Sequence, residues 1–395
     1  MTMVDAFLVG AAIPVSIACG YLALLAACSQ RTPPPAAGAP RIRFDIIVPA
    51  HDEESGIAET VRSLLSIDYP RSLFRVIVLA DNCVDQTIAR AVAAGASVLV
   101  RQDAERRGKG YALDYAFRES LAAAADAVVV IDADTVASGN LLHAFASRLE
   151  AGAGAVQADY SVRNPNASWR TRLMTIALAM FHVLRSLARE RLGVSCGLRG
   201  NGMCFTRAVL SQVPHQAFSI VEDLEYGLRL GEAGHRVHYA GDAHVFGEMV
   251  AGERAARSQR HRWEGGRWQI ARLHGPRLLL AGLARRDAVI LDLAMDLLVP
   301  PFSILTTVVV AGLGASIWIS LRGRGELPLW VWGACALALL GYVMRGWQLS
   351  GTGLRGLAAL SCSPAFLLWK ATLLFRRNAP RKDEWIRTAR EGSER

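Results

Sequence analysis

Four short runs of aliphatic and β-branched residues, FDIIVPA (44–50), FRVIVLA (74–80), SVLVR (97–101) and AVVVIDA (127–133), restrict this chain more than any other feature. The stretches between them, ETVRSLLSI (59–67), TIARAVAAG (87–95) and GYALDYAFRESLAAA (110–124), have helical spacing. Strands alternating with helices predict βαβ units and a parallel sheet, an α/β fold. In such sheets ligands bind beyond the carboxyl ends of the strands. The polar clusters fall there: His51-Asp52-Glu53-Glu54, Asp81-Asn82 and Asp132-Ala133-Asp134.

Apolar segments flank this region. Residues 6–28 are uncharged and long enough to cross a bilayer as a helix, with Pro14 tolerable inside it. No Lys or Arg precedes the run, which argues against a cleaved signal peptide. Leu25-Ala26-Ala27-Cys28 also resembles a lipoprotein cleavage box, which would place the remainder outside the cytosol. Arg31, Arg41 and Arg43 follow the run, so the positive-inside rule puts the N-terminus outside and residue 31 onward in the cytosol. Segments 302–321, 328–349 and 356–375 are further span candidates, and 287–299, with Asp287, Asp292 and Asp296, is ambiguous. Placing Arg322, Arg324 and RRNAPRK (376–382) in the cytosol requires 287–299 to cross as well, for five spans in all.

The expected organisation is an N-terminal transmembrane helix (1–30), a stiff Pro-rich linker (31–43), a cytosolic domain (44–285), a transmembrane region of three or four helices (286–376) and a basic cytosolic tail (377–395). A net charge of +9 is accounted for by this topology; no basic patch with aromatic interleaving points to nucleic acid. The seven cysteines have no CxxC or zinc spacing and read as reduced thiols.

Asp132 and Asp134 follow a buried strand where the chain bends, so both carboxylates can reach one site. Two hard oxygen donors beside a diphosphate suit Mg²⁺ or Mn²⁺. Glu222-Asp223 stands at the start of a helix ending near Gly231; a carboxylate here can serve as general base, although acids also favour helix N-termini for the macrodipole alone. Arg107-Gly108-Lys109-Gly110 joins a strand to a helix and offers a phosphate a close backbone and a cation. Gln259-Arg260-His261-Arg262-Trp263 lies on a basic helix. It can bind phosphate through Arg262 and a sugar ring through Trp263, or rest on an anionic membrane surface. Residues 169–191 read as an amphipathic helix with basic ends, either at the membrane surface or within the domain.

Together and in this order, from Phe44 to Trp268, these elements resemble family 2 glycosyltransferases of GT-A fold. The likeness is to the membrane-embedded branch that includes cellulose and hyaluronan synthases and ceramide glucosyltransferases. The resemblance implies a Rossmann-like nucleotide-sugar-binding domain with flanking transmembrane helices. Pro49, Ala50 and Glu53 resemble the strand end that contacts the nucleotide, Asp81 the acid that touches uracil, and Asp85 and Thr87 the end of that pattern. Lys109 falls near the nucleotide, Asp132 and Asp134 form the D-x-D with Asp134 as metal ligand, and Gly200, Asn201 and Gly202 shape the donor-sugar and acceptor pocket. Asp223, paired with Glu222, is implied as base, and Gln259, Arg262 and Trp263 match the Q-x-x-R-W signature. His51, Asp52, Ala80 and Cys83 replace the usual Tyr, Asn, Asp and Ser.

The expected function is inverting transfer from a nucleotide-diphosphate sugar, such as a UDP-sugar, to a lipid or envelope-glycan acceptor. The enzyme would sit in the cell (inner) membrane, multi-pass, with its catalytic domain in the cytosol. Two alternatives are a processive polysaccharide synthase that exports its product and a non-catalytic membrane protein that binds nucleotide sugars.

Overall fold

A computed structural model of the chain describes residues 3–166, 168–247, 253–323 and 325–362, with side chains excepted over 253–264. Helix α1 (Met3–Cys28) comes first, followed by β1 (Phe44–Ala50), α2 (Ile57–Leu65), β2 (Phe74–Asp81), α3 (Thr87–Ala93), β3 (Ser97–Arg101), α4 (Lys109–Ala122) and β4 (Ala127–Val130). All seven strand and helix segments expected between residues 44 and 133 form. Strands β3, β2, β1 and β4 lie side by side and run parallel.

β1 is buried along its whole length, as expected of a central strand covered on both faces. Its alternate side chains feed two cores. Ile46 and Val48 pack with Ile57, Val61 and Leu64 of α2, whereas Ile47 packs with Leu113 and Phe117 of α4.

The second half of the sheet departs from the parallel pattern. After β5 (Thr135–Ala137), α5 (Leu141–Glu150) and β6 (Ala155–Val162), the chain forms α6 (Trp169–Leu178), a π-helical stretch (Ala179–Leu184) and α7 (Arg185–Leu192). It then inserts β7 (Met203–Thr206) antiparallel between β4 and β6. Helices α8 (Arg207–Gln212) and α9 (Glu222–Glu232) lead to β8 (Val237–Gly247), which pairs parallel with β6 and antiparallel with β5. The result is a mixed eight-stranded sheet among the described residues. β7 is four residues long and β6 carries buried Gln157 and Asp159, so neither shows the apolar run that marks β1 to β4.

Helix α10 (Glu253–Arg285) leaves the sheet and is followed by α11 (Ala288–Leu298), α12 (Phe302–Ser320), α13 (Leu327–Leu349) and α14 (Gly353–Leu360). Three described helices, α1, α12 and α13, are long and apolar enough to cross a membrane. They share a core in which Leu22, Leu25, Leu305, Val309, Trp332 and Leu339 meet Leu184 and Ala188 of the π stretch and α7.

The stretch 287–299 is not among the three. Its helix α11 rises only about 16 Å, roughly half a hydrocarbon core. Its acids Asp292 and Asp296 pair with arginines of α7, which makes α11 part of the seam between the sheet domain and the apolar helices. Of the span candidate 356–375, residues beyond 362 lie outside the described residues, as does the basic tail.

Candidate active site

Two loops at the carboxyl ends of β1 and β2 clasp each other. Asp52 and Asn82 both adopt the left-handed backbone, at φ 54° and 51°. Asp52 Oδ1 accepts from the Val84 amide at 2.8 Å, and the Glu53 amide donates to Thr87 Oγ1 at 2.8 Å. Thr87 in turn donates to Asp85 Oδ1 at 2.5 Å. Asp52, Cys83 and Asp85 present ligand atoms within 4.8 Å of one another, but the carboxylates already close these turns.

Asp81 is buried and pairs with Arg101 at 2.5 Å, while Arg101 continues to Asp103. Asp81 Oδ2 is buried without a hydrogen-bond partner among the described residues, an open acceptor at the end of β2.

A cavity of about 1600 Å³ opens beyond these strand ends. At its polar end stand Pro49, Glu53, Lys109, Asp132, Asp134, Gly200, Glu222 and Asp223, residues from five separate segments. Ala50 is fully buried in its strand, where its carbonyl accepts from Cys83 Sγ. Asn201 and Gly202 sit behind the wall. Asn201 Oδ1 accepts from the Asp132 amide and its Nδ2 donates to Thr135 Oγ1, which fixes the turn that carries the two aspartates. Gly200 and Gly202 need positive φ, and a Cβ on Gly202 would crowd Val245 and Ala158. Gln259, Arg262 and Trp263 lie on α10, but their side chains are outside the described residues.

Gly108, at φ 121°, caps α4 and turns Lys109 inward. Lys109 Nζ donates to Asp132 Oδ1 at 2.5 Å and to the Gly200 carbonyl at 2.7 Å, and lies 3.9 Å from Glu222. Burial opposes the lysine's charge, but Asp132 and Glu222 outweigh it and hold its pKa above the ordinary range. Burial raises the Asp132 and Asp223 carboxyls, the first against the pull of Lys109 and the second against the Leu224 amide. Glu222 is pushed up to about 8 by burial, with neighbouring Asp223 adding to the shift. Five acids, Glu53, Asp132, Asp134, Glu222 and Asp223, thus gather with Lys109 at the described cavity mouth, a donor set of hard oxygens with net negative charge that fits a divalent cation.

Further in, the lining changes character. Arg185, Arg199 and Arg267 each place a guanidinium over the Phe181 ring, at 4.9, 4.7 and 5.4 Å from its centroid. Arg185 donates to Asp296 at 2.7 Å and to the Tyr342 hydroxyl at 3.0 Å, and Arg189 bonds Asp296 at 2.7 Å. Beyond them the wall is apolar: Val299, Phe302, Val309 and Val310 from the α11–α12 side, and Leu339, Leu340 and Val343 from α13. No motif in the sequence marks these arginines, Phe181 or His182 as a group, although Phe181, His182, Arg185 and Arg189 lie within the basic amphipathic stretch 169–191. The signal available was the acids of 287–299, which in an apolar segment need cationic partners.

The family model described as "Glycosyltransferase like family 2" matches residues 40–266, and the chain belongs to that family. The beta-monoglucosyldiacylglycerol synthase of Synechocystis sp. is 28% identical over 336 residues, covering 78% of this chain and 69% of the relative. The probable glycosyltransferase YdaM of Bacillus subtilis is 23% identical and the match covers 57% of this chain; the chain spans 55% of YdaM's length. Among solved structures, the mannosyltransferase PcManGT from Pyrobaculum calidifontis, in complex with GDP-Man and Mn²⁺, superposes with a TM-score of 0.53 at 20% identity. The superposition covers 93% of this chain and 94% of that one. The mixed sheet with apolar helices at both ends is therefore a GT-A fold, as the motifs implied.

Proposed function

We propose that the protein transfers a sugar from a nucleotide-diphosphate sugar, with inversion, to the hydroxyl of a lipid acceptor at a membrane surface. The observation that carries this reading is one continuous cavity, polar and acidic at the strand ends and apolar between α12 and α13. A donor that binds by the strand ends and an acceptor with an acyl tail would meet at Asp223. The diacylglycerol synthase relative supports the lipid class, and the Mn²⁺-bound mannosyltransferase supports a divalent cation.

Each residue then has a task. Asp81 Oδ2 is an open acceptor for a base N–H, and Pro49 and Glu53 border the nucleotide. Asp134, with Asp132 beside it, would hold Mg²⁺ or Mn²⁺, which when bound neutralises charge on the departing diphosphate. Lys109 keeps Asp132 turned toward the cavity and ties it to Gly200. Asp223 takes the acceptor's hydroxyl proton. Arg262 and Trp263 of α10 are proposed to close the diphosphate side, with Gln259. The domain boundaries expected from the sequence, with the sheet domain cytosolic in a multi-pass inner-membrane protein, belong to the same proposal.

The test incubates membranes carrying the protein with a panel of radiolabelled nucleotide sugars and Mg²⁺ or Mn²⁺, then separates lipid from polymer. Label in the lipid fraction from one donor supports the reading. Label confined to high-molecular-weight glycan would favour the processive alternative, and binding without turnover the non-catalytic one.

A further inference from the structure

One guanidinium of the arginine cluster lacks a direct ion-pair partner among the described residues. Arg185, Arg189 and Arg267 make ion pairs with Asp292 and Asp296, and Arg199 shares the Phe181 ring with Arg185 and Arg267, with Asp296 and Asp223 as the acids that feel its charge. His182 adds no charge, because burial and Arg199 push its pKa down to about 3. Arg199 makes no ion pair at contact distance among the described residues, although Asp296 and Asp223 feel its charge. Its Nη2 donates only to the carbonyls of Phe181 and Cys196, at 3.3 and 3.1 Å, and its Nε is buried without a hydrogen-bond partner among the described residues. Leaving guanidinium donors unmet in a closed setting is costly, and planar donors of this kind match phosphate oxygens.

Position says which phosphate. Arg199 immediately precedes Gly200, at which a Cβ would touch Asp223 Oδ2 at 3.4 Å. Arg185 reaches Tyr342 on the apolar helix α13. The cluster therefore borders both the proposed base and the apolar crevice, with Lys109 reaching the Gly200 carbonyl beside Arg199.

We propose that Arg199, with Arg185 and Arg267, holds a phosphate belonging to the acceptor lipid, so that the acceptor is an anionic phospholipid with a hydroxyl-bearing head group. This rests on the lipid-transfer reading and narrows it. The head-group hydroxyl oxygen forms a bond to the anomeric carbon, and its proton passes to the Asp223 carboxylate. The anomeric carbon–oxygen bond to the diphosphate breaks, and the nucleoside diphosphate leaves with the electron pair. The lipid phosphate stays intact and serves as the handle.

The experiment uses the full chain in detergent, with short-chain phosphatidylglycerol and a diacylglycerol of the same acyl chains as probes. Thermal shift reads binding, and labelled donor reads transfer. The expected result is stabilisation and transfer with phosphatidylglycerol. Arg199→Gln should raise the acceptor KM by roughly 10–100-fold while leaving the donor KM unchanged, with partial recovery in Arg199→Lys. Equal binding and transfer with the uncharged diacylglycerol, unaffected by Arg199→Gln, overturns the proposal and leaves the transferase reading standing. A rise in donor KM alone also overturns it, since the guanidiniums would then serve the donor diphosphate. Donor hydrolysis with no label in either lipid defeats the lipid-acceptor reading itself.

Discussion

Glu222 and Asp223 open α9 side by side, yet their surroundings give them different work. Glu222 is 3.9 Å from Lys109, whose short bonds go to Asp132 and Gly200, and burial pushes its carboxyl up to about 8. A carboxyl with that value stays mostly protonated at neutral pH in the folded protein. The unfolded chain releases that proton near the ordinary glutamate value, so the folded state binds more protons between the two. Stability from this group is therefore full at acid pH and falls as pH rises from about 5 to 8. Glu222→Gln mimics the protonated form, and thermal melts across that window should lose this part of their downward slope. A slope unchanged by the substitution would show that Glu222 is ionised in the fold. Asp223, raised by burial, is the proposed base, and in that role its acid limb in a kcat/KM profile should lie above the usual aspartate range.

At the scale of elements, α11 and α7 are joined by charge. Asp296 accepts from Arg185 and Arg189 and lies 3.4 Å from Arg267 of α10, all at low exposure. Removing it strands arginines in the interior, so Asp296→Ala should cost about 3–5 kcal/mol in thermal or denaturant unfolding. Asp126→Ala, which breaks the exposed pair with Arg43, should cost no more than about 1 kcal/mol. Similar losses for the two would mean that the seam contributes no special stability.

The same pair of elements shows where the sequence was legible. β1 to β4 and the acids at their ends could be read from local pattern: β1 and β4, buried throughout, are continuous apolar runs, and β2 and the edge strand β3 keep short β-branched runs of the same kind. Glu222 and Asp223 were readable as a pair at a helix start, and the described structure brings them to one cavity with Asp132 and Asp134. The partners of Asp292 and Asp296 were not readable, since Arg185 and Arg189 lie more than a hundred residues away and no local pattern couples them. For the same reason the acids of 287–299 read as anomalies in a crossing helix. Lys109 was expected near a phosphate, and its bond to Asp132 depends on a fold-level approach that spacing does not encode.

Across the whole molecule, the cavity joins the strand ends to the crevice of α12 and α13, two of the three described helices long and apolar enough to cross a membrane, so the proposed chemistry would depend on how those helices meet a bilayer. With three helices long enough to cross, the protein should stay with membranes after alkaline carbonate extraction. A reporter fused after residue 40 should behave as cytosolic, fluorescent as a green fluorescent protein fusion and inactive as a phosphatase. Phosphatase activity there would reverse the topology and favour the lipoprotein reading of Cys28. The central claim is that Asp223 activates a lipid hydroxyl at the junction of the two halves of the cavity. Its most direct test compares lipid-fraction label for wild type and Asp223→Asn, with donor binding measured in parallel. The account predicts a fall of about 10²–10⁴-fold in transfer with donor affinity retained. Undiminished transfer by Asp223→Asn would contradict it.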